Sequence, residues 1–205
     1  MGKKQTVTSK ERLINSAKLL MWQNSYHQVS VDMICKHADV QKGSFYHYFS
    51  SKSDLGTEAL EDHYEEFRPL MDKIFSASIP PQARYVFFAQ AVYDIQKTMS
   101  DDCGCVCGVL PVTIGVEIAG QDQEMSDAIR DILKRYEMYH QSALRDLIAA
   151  GEIPDNIDVE DMAGKIHSFV VGCLIMARIN NSLSTLKIDM TSGIFDILNI
   201  AKNNG

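Results

Sequence analysis

Residues 30–55 read Ser-Val-Asp-Met-Ile-Cys-Lys-His-Ala-Asp-Val-Gln-Lys-Gly-Ser-Phe-Tyr-His-Tyr-Phe-Ser-Ser-Lys-Ser-Asp-Leu, two short helices around a tight turn and the start of a third. Val31, Ile34, Cys35 and Ala38 recur at i, i+3, i+4 and i+7, the single buried stripe of a short helix. Ser30 stands where an N-cap belongs, and Asp32 in the first turn faces the positive end of the helix. Ala38-Asp39-Val40 is the turn. In the second short helix Phe45 and Phe49 are four residues apart and point inward together. Lys42, Ser44, His47 and Tyr48 are then left outside, with Gly43 and Ser44 small enough to let the helix start approach a surface. A polar, cationic and aromatic outer face is what a recognition helix needs to enter the major groove of duplex DNA.

Outward from this stretch the pattern stays helical. Thr8 and Glu11 have capping-box spacing, and Leu13, Ile14, Ala17, Leu20 and Met21 then form the stripe of a first helix ending near Asn24-Ser25. Ser51 and Asp54 repeat the spacing and open a long helix through Leu55, Ala59, Leu60, Phe67, Met71 and Ile74, before Ile79-Pro80-Pro81 stops it. Residues 82–99 form another amphipathic helix. The apolar segment 104–119 contains Pro111, which predicts a kinked or interrupted helix. Residues 125–150 form a long amphipathic helix, residues 158–180 a strongly apolar one, and a weaker helix is predicted over 192–201. There is no internal repeat and no strand-like alternation.

The run Lys42-Gly-Ser-Phe-Tyr-His-Tyr-Phe49, followed by Ser51, Lys52 and Leu55, resembles the DNA-binding signature of TetR-family transcriptional regulators. The similarity extends upstream through Ala17, Leu20, Tyr26, Ser30, Val31 and Ile34. The chain departs from the family pattern at Ser25 and Asp39, where glycine is usual, at Val29, where a polar residue is common, and at Cys35, where alanine is usual. Asp tolerates left-handed geometry, so Asp39 fits the turn while placing a negative charge near the DNA-binding surface.

The resemblance implies an all-α protein with a helix-turn-helix domain over 1–53 and a helical effector-binding and dimerisation domain over 54–205. It implies Lys42, Gly43, Ser44 and His47 toward bases, and Ser30, Tyr46, Tyr48 and Lys52 mainly on phosphates. The two long C-terminal helices carry wide apolar bands, and in this family the corresponding pair forms a four-helix interface between two copies. Ile132, Tyr136, Leu144, Phe169, Gly172 and Cys173 are the expected dimer contacts, Gly172 allowing close approach. A ligand-responsive repressor, released from its operator by a small effector, is the function implied.

Charge agrees with this reading. The 205-residue chain has a net charge of -7, but residues 1–53 carry eight basic against three acidic side chains, a net +5. A basic head on an acidic body suits a protein whose head alone meets nucleic acid. No run of eighteen apolar residues spans a membrane, and the N-terminus lacks the apolar segment of a secretory signal, so a cytoplasmic protein without a membrane partner is expected. Five cysteines, an odd count, argue against a disulfide framework.

Asp101-Asp102-Cys103-Gly104-Cys105-Val106-Cys107-Gly108 is the other unusual feature. On a helix Cys103 and Cys107 would share a face that Cys105 does not. No histidine follows at structural-zinc spacing, so no metal and no cofactor is expected. Three readings remain: small buried residues, a redox or electrophile sensor, or, from a different class, a thiol enzyme. No catalytic residue and no redox-fold pattern supports the last. In the body, Pro111 is expected to bend the chain beside the cysteines and strip the Cys107 carbonyl of its helical partner. That would place Cys107, Tyr136, His140 and His167, with Phe88, on one effector cavity.

Overall fold

Among the residues described, 7–200 of this computed structural model, the chain forms nine α-helices and no strand. Lys3 and Lys4, counted in the charge of the head, lie outside the described residues. α1 (Ser9–Gln23) starts in the expected capping box: Glu11 N–H donates to Thr8 Oγ1 at 3.2 Å and Thr8 N–H to Glu11 Oε2 at 2.6 Å. Ser30 caps α2 (Val31–Ala38) by accepting from Met33 N–H. Asp39 then turns the chain at φ 50°, ψ 51°, the left-handed geometry its short polar side chain tolerates. α3 (Lys42–Tyr48) follows at once. At the start of α4 (Lys52–Ile74) Ser51 Oγ accepts from Asp54 N–H, but Asp54 answers to Ser50 N–H, one residue before the expected partner.

α5 (Pro81–Cys103) is longer than predicted, opening on Pro81, whose missing N–H costs nothing there, and ending at Gly104, φ 74°. The kinked or interrupted helix expected over 104–119 is shorter, occupying only the second part of that range. Residues 104–109 are a loop, and α6 (Leu110–Ile118) begins after it with Pro111 in its first turn, where proline is tolerated. α7 (Gln123–Ala149) and α8 (Val159–Ile179, capped by Asp158) lie close to their predicted ranges. α9 (Ser184–Ile197) starts well before the expected Ser192, because Leu186, Met190 and Ile194 form one buried stripe; the expected end at Ala201 is outside the described residues.

These helices form two compact units. The first runs to Glu66 and includes Leu110–Ile132; the second comprises Phe67–Val109 and the chain from Leu133 onward. The expected boundary at 53/54 therefore falls inside the first unit, where α6 and the starts of α4 and α7 join the helix-turn-helix. α4 and α7 are continuous through both units.

In the first unit Leu13, Ala17, Met21, Val29, Ile34, Phe45, Leu55 and Leu60 are fully buried, with Ile114, Ile118 and Met125. Withdrawing side chains of this size from water stabilises by roughly 1.5–3 kcal/mol each. In the second unit Phe75, Tyr85, Leu144, Leu147, Ile166, Val170, Leu186 and Ile194 make the core. Arg84 is buried at its edge, donating to Asp146 Oδ2 at 2.6 Å and to the Ile79 carbonyl at 2.8 Å. Gly193 brings α9 close to α8: a Cβ there would run into the Phe169 ring.

Candidate nucleic-acid interface

α3 separates its two faces as its spacing predicts. Phe45 and Phe49 are buried with ring centroids 5.7 Å apart, while Lys42, Gly43, Ser44, Tyr46, His47 and Tyr48 are all exposed. Ser30 is exposed at the neighbouring helix start. One short helix thus presents an ammonium, a hydroxyl, an imidazole and two phenols around a glycine with open space beyond its Cα. These are donors and acceptors for base edges and phosphates.

The charges of the head are less available than the sequence count implies. Lys42 Nζ lies 2.7 Å from Asp32 Oδ1, and this hydrogen bond and charge hold its ammonium pKa above the ordinary lysine value. Lys10 pairs with Glu58, and Lys18 is buried between Asp62 and Glu66, 2.5 Å from each. Arg12 comes within 3.7 Å of Asp39, so the turn aspartate meets a guanidinium. Lys52 points into the first unit, donating to the carbonyls of Tyr26 at 2.9 Å and Val29 at 3.0 Å, with Nζ 4.1 Å from the Tyr26 ring centroid. Burial pushes its pKa down, against the pull of Glu117. In this structure Lys52 clamps the α1–α2 loop; the expected phosphate contact would require it to leave those carbonyls.

Glu117, on α6, escaped the sequence reading. Its Oε2 accepts from Ser25 Oγ at 2.6 Å and His27 N–H at 3.1 Å, and its carbonyl lies 3.2 Å from His27 Nε2. Burial works to raise its carboxyl pKa, but the bonds from Ser25, His27 and Tyr26 outweigh it and hold the group below the usual value. The only signal in the sequence was Ser25 standing in the place of a usual glycine.

In the second unit the cysteine segment is a loop pinned by side chains. Gln96 bonds both backbone groups of Gly108, Asn181 Oδ1 accepts from Val106 N–H, and Arg178 donates to the Cys107 carbonyl at 2.8 Å. That carbonyl is therefore satisfied, contrary to the expected loss of its partner. Cys107 is buried, and burial, reinforced by neighbouring Cys103 and Cys105, pushes its thiol up to about 12. A thiol so rarely ionised is a poor nucleophile. None of the five cysteines forms a disulfide.

Of the expected effector residues, Phe88, His140 and His167 come together. The His140 ring is edge-on to Phe88 at 5.4 Å, and its centroid is 6.1 Å from that of His167. Burial lowers both histidines, His140 to about 3 with His167 adding to the shift, and His167 to about 4. Tyr136 packs against the same core, whereas Cys107 sits in the pinned loop.

The expected dimer contacts divide. Ile132 and Leu144 are 1% and 0% exposed within the single chain, so they are core residues with no surface to offer a partner. Tyr136, Phe169 and Cys173 are partly buried, and Gly172 is exposed with open space around it. Met176 and Ile179, 49% and 69% exposed, continue from Gly172 at i+4 and i+7, an apolar stripe the sequence bands did not isolate.

Comparison with known proteins agrees with this arrangement. Residues 13–59 match the pattern described as bacterial regulatory proteins, tetR family, and residues 88–190 match the tetracyclin repressor-like C-terminal domain. The transcriptional regulator AcuR of Cereibacter sphaeroides is 27% identical over 170 residues, 82% of this chain and 76% of that protein. The HTH-type transcriptional repressor NemR of Escherichia coli is 28% identical over 131 residues, 63% of each chain. Among solved structures, regulatory protein TetR from Rhodobacter sphaeroides superposes with a TM-score of 0.78 at 25% identity, over 90% of this chain and 97% of that one. The reduced form of E. coli NemR gives 0.77 at 21% identity, over 97% and 100%.

Proposed function

The chain belongs to the TetR family of bacterial transcriptional regulators, and from that membership we propose that it represses transcription as a cytoplasmic homodimer, releasing its operator when a small effector binds the second unit. The outward face of α3 is the observation that carries the DNA-binding part. Lys42, Gly43, Ser44 and His47 read bases, and Ser30, Tyr46 and Tyr48 hold phosphates. One helix-turn-helix reads few bases, and a two-fold dimer places two of them on half-sites about one helical turn apart. The exposed Gly172, Met176 and Ile179 stripe of α8 supports pairing there, since burying such an apolar row is the main gain a second copy offers.

Release works by population shift: the effector favours a dimer whose recognition helices no longer match successive grooves, so operator affinity falls. α4 and α7, continuous through both units, are the covalent path for such a change. Thiol sensing has less support, because the buried Cys107 thiol is held far from ionisation. Selection of duplexes from a random pool by the purified protein tests the reading. Enrichment of an inverted repeat is expected, with His47→Ala changing the preferred bases and Tyr48→Ala weakening all sequences alike. Absence of any enriched sequence would refute it.

A further inference from the structure

The core of the second unit contains polar atoms that the protein itself leaves unanswered. His140 is 1% exposed, yet its Nδ1 has no hydrogen-bond partner among the described residues, and neither has the buried Nε2 of His167. An unsatisfied buried nitrogen is costly, so two on neighbouring rings need a reason. The surroundings supply none: the His140 ring lies parallel to Tyr85 at 5.9 Å and edge-on to Phe75 and Phe88 at 5.7 and 5.4 Å. The hydroxyl of Tyr85 is directed to the backbone carbonyl of His140, at 3.5 Å, and not to its ring. The result is one imidazole boxed by uncharged aromatic rings, with a second imidazole beside it.

We propose that this pair is the polar end of the effector site, and that the effector is an uncharged molecule with one oxygen function, a hydroxyl or a carbonyl, on an apolar body. The inference rests on the ligand-responsive reading above. Ring centroids 6.1 Å apart bring the two imidazoles close enough for one small group to meet both. A hydroxyl donates to one imidazole and accepts from the other, so it answers both nitrogens when the two rings hold complementary tautomers. A carbonyl oxygen, with two lone pairs, answers both when each ring presents its N–H. A carboxylate would bring an unpaired charge into the box, and burial keeps both rings neutral at physiological pH, so neither offers a cation. Arg84, 2% exposed, is already held by Asp146 and the Ile79 carbonyl.

The test uses full-length protein with 15N-labelled histidine, read by long-range 1H–15N correlation at pH 7.5, without DNA. The probes are benzyl alcohol, toluene and benzoate, which share a ring and differ in the head. Benzyl alcohol is expected to shift the ring nitrogens of His140 and His167 saturably. Toluene should bind roughly tenfold more weakly, in line with one to two net hydrogen bonds, and benzoate should leave both rings unmoved. His167→Leu, in the less buried member of the pair, should abolish the preference for alcohol over toluene; His140→Phe is a second variant for the same loss. The proposal fails if toluene binds as well as the alcohol, if benzoate binds best with protonation of a ring, or if no probe moves either ring. Operator binding is scored separately: a protein that takes up the alcohol but never binds DNA would sink the regulator reading and leave the site standing.

Discussion

Acidification from pH 7 to pH 5 should strongly destabilise this protein, and three histidines set the size of the effect. His63, His140 and His167 are pushed down by burial to about 4, 3 and 4, with Lys18 adding to the shift at His63. Unfolded, each returns to the ordinary value of 6.5. Below pH 6.5 the unfolded chain binds protons that the folded chain refuses, so the stability these groups permit is complete above 6.5. It is lost progressively as pH falls toward 3–4. Each proton is worth about 1.4 kcal/mol per pH unit once the unfolded group is charged, so one such histidine costs roughly 1.8 kcal/mol between pH 7 and 5. Three cost roughly 5 kcal/mol, comparable with the whole stability of a marginal domain, about 5–15 kcal/mol.

Urea titrations followed by far-UV circular dichroism, at fixed protein concentration and at pH 7, 6 and 5, measure this directly. His63→Leu should recover about a third of the loss. The window matters: Glu117, held below the usual carboxylate value, withdraws its contribution only below the range of the assay. A change under about 1.5 kcal/mol between pH 7 and 5 would mean that the folded protein accepts these protons. That outcome would refute the picture of closed, neutral rings.

Lys52→Met removes two bonds from an ammonium to backbone carbonyls, offset by the relief of its burial; a net loss of about 2 kcal/mol should lower Tm by roughly 4–8 °C. Unchanged Tm with a salt slope of operator binding reduced by about one would instead make Lys52 a phosphate contact. Glu117→Ala frees Ser25 Oγ and the His27 N–H, and loosening that loop should weaken operator binding roughly five- to tenfold; wild-type affinity in the variant would exclude a role for α6 in placing the head. Gly172→Glu puts a carboxylate in the exposed α8 stripe, and monomers with poor operator affinity are expected by sedimentation. A variant that sediments as a wild-type dimer would move the interface elsewhere.

The head was legible because its determinants are local. The Thr8–Glu11 box, the Ser30 cap, the Phe45–Phe49 pair and the left-handed Asp39 all act within four residues, the range over which spacing carries information. Lys52 shows where that range ends. Its partners lie 26 and 23 residues back, and nothing in its neighbours distinguishes a lysine aimed at phosphate from one closed on carbonyls. Glu117 meets Ser25 across 92 residues. The loop around Cys105 was misread for a related reason. Proline in an apolar run suits a kink or a first turn equally, and only the positive φ of Gly104 and Gly108 decides for a loop and a new helix at Leu110.

The dimer bands expose a deeper ambiguity. Ile132 and Leu144 follow the same period as residues that meet a partner, because periodicity reports a face turned from water and not what covers it. Once own-core residues are removed, Gly172, Met176 and Ile179 remain on α8. The same subtraction applies to charge. A formal +5 in the head predicts a cationic field, but Lys10, Arg12, Lys18 and Lys42 each face a carboxylate. Binding DNA then becomes an exchange: Lys42 must give up Asp32 to reach a base or phosphate, and Asp32 stays behind near a polyanion. Part of the electrostatic gain would be cancelled on every sequence, so discrimination would fall more heavily on the other base-facing side chains, Ser44 and His47. For a regulator that must ignore most of the DNA it meets, a muted cation at the tip of α3 favours selectivity over grip.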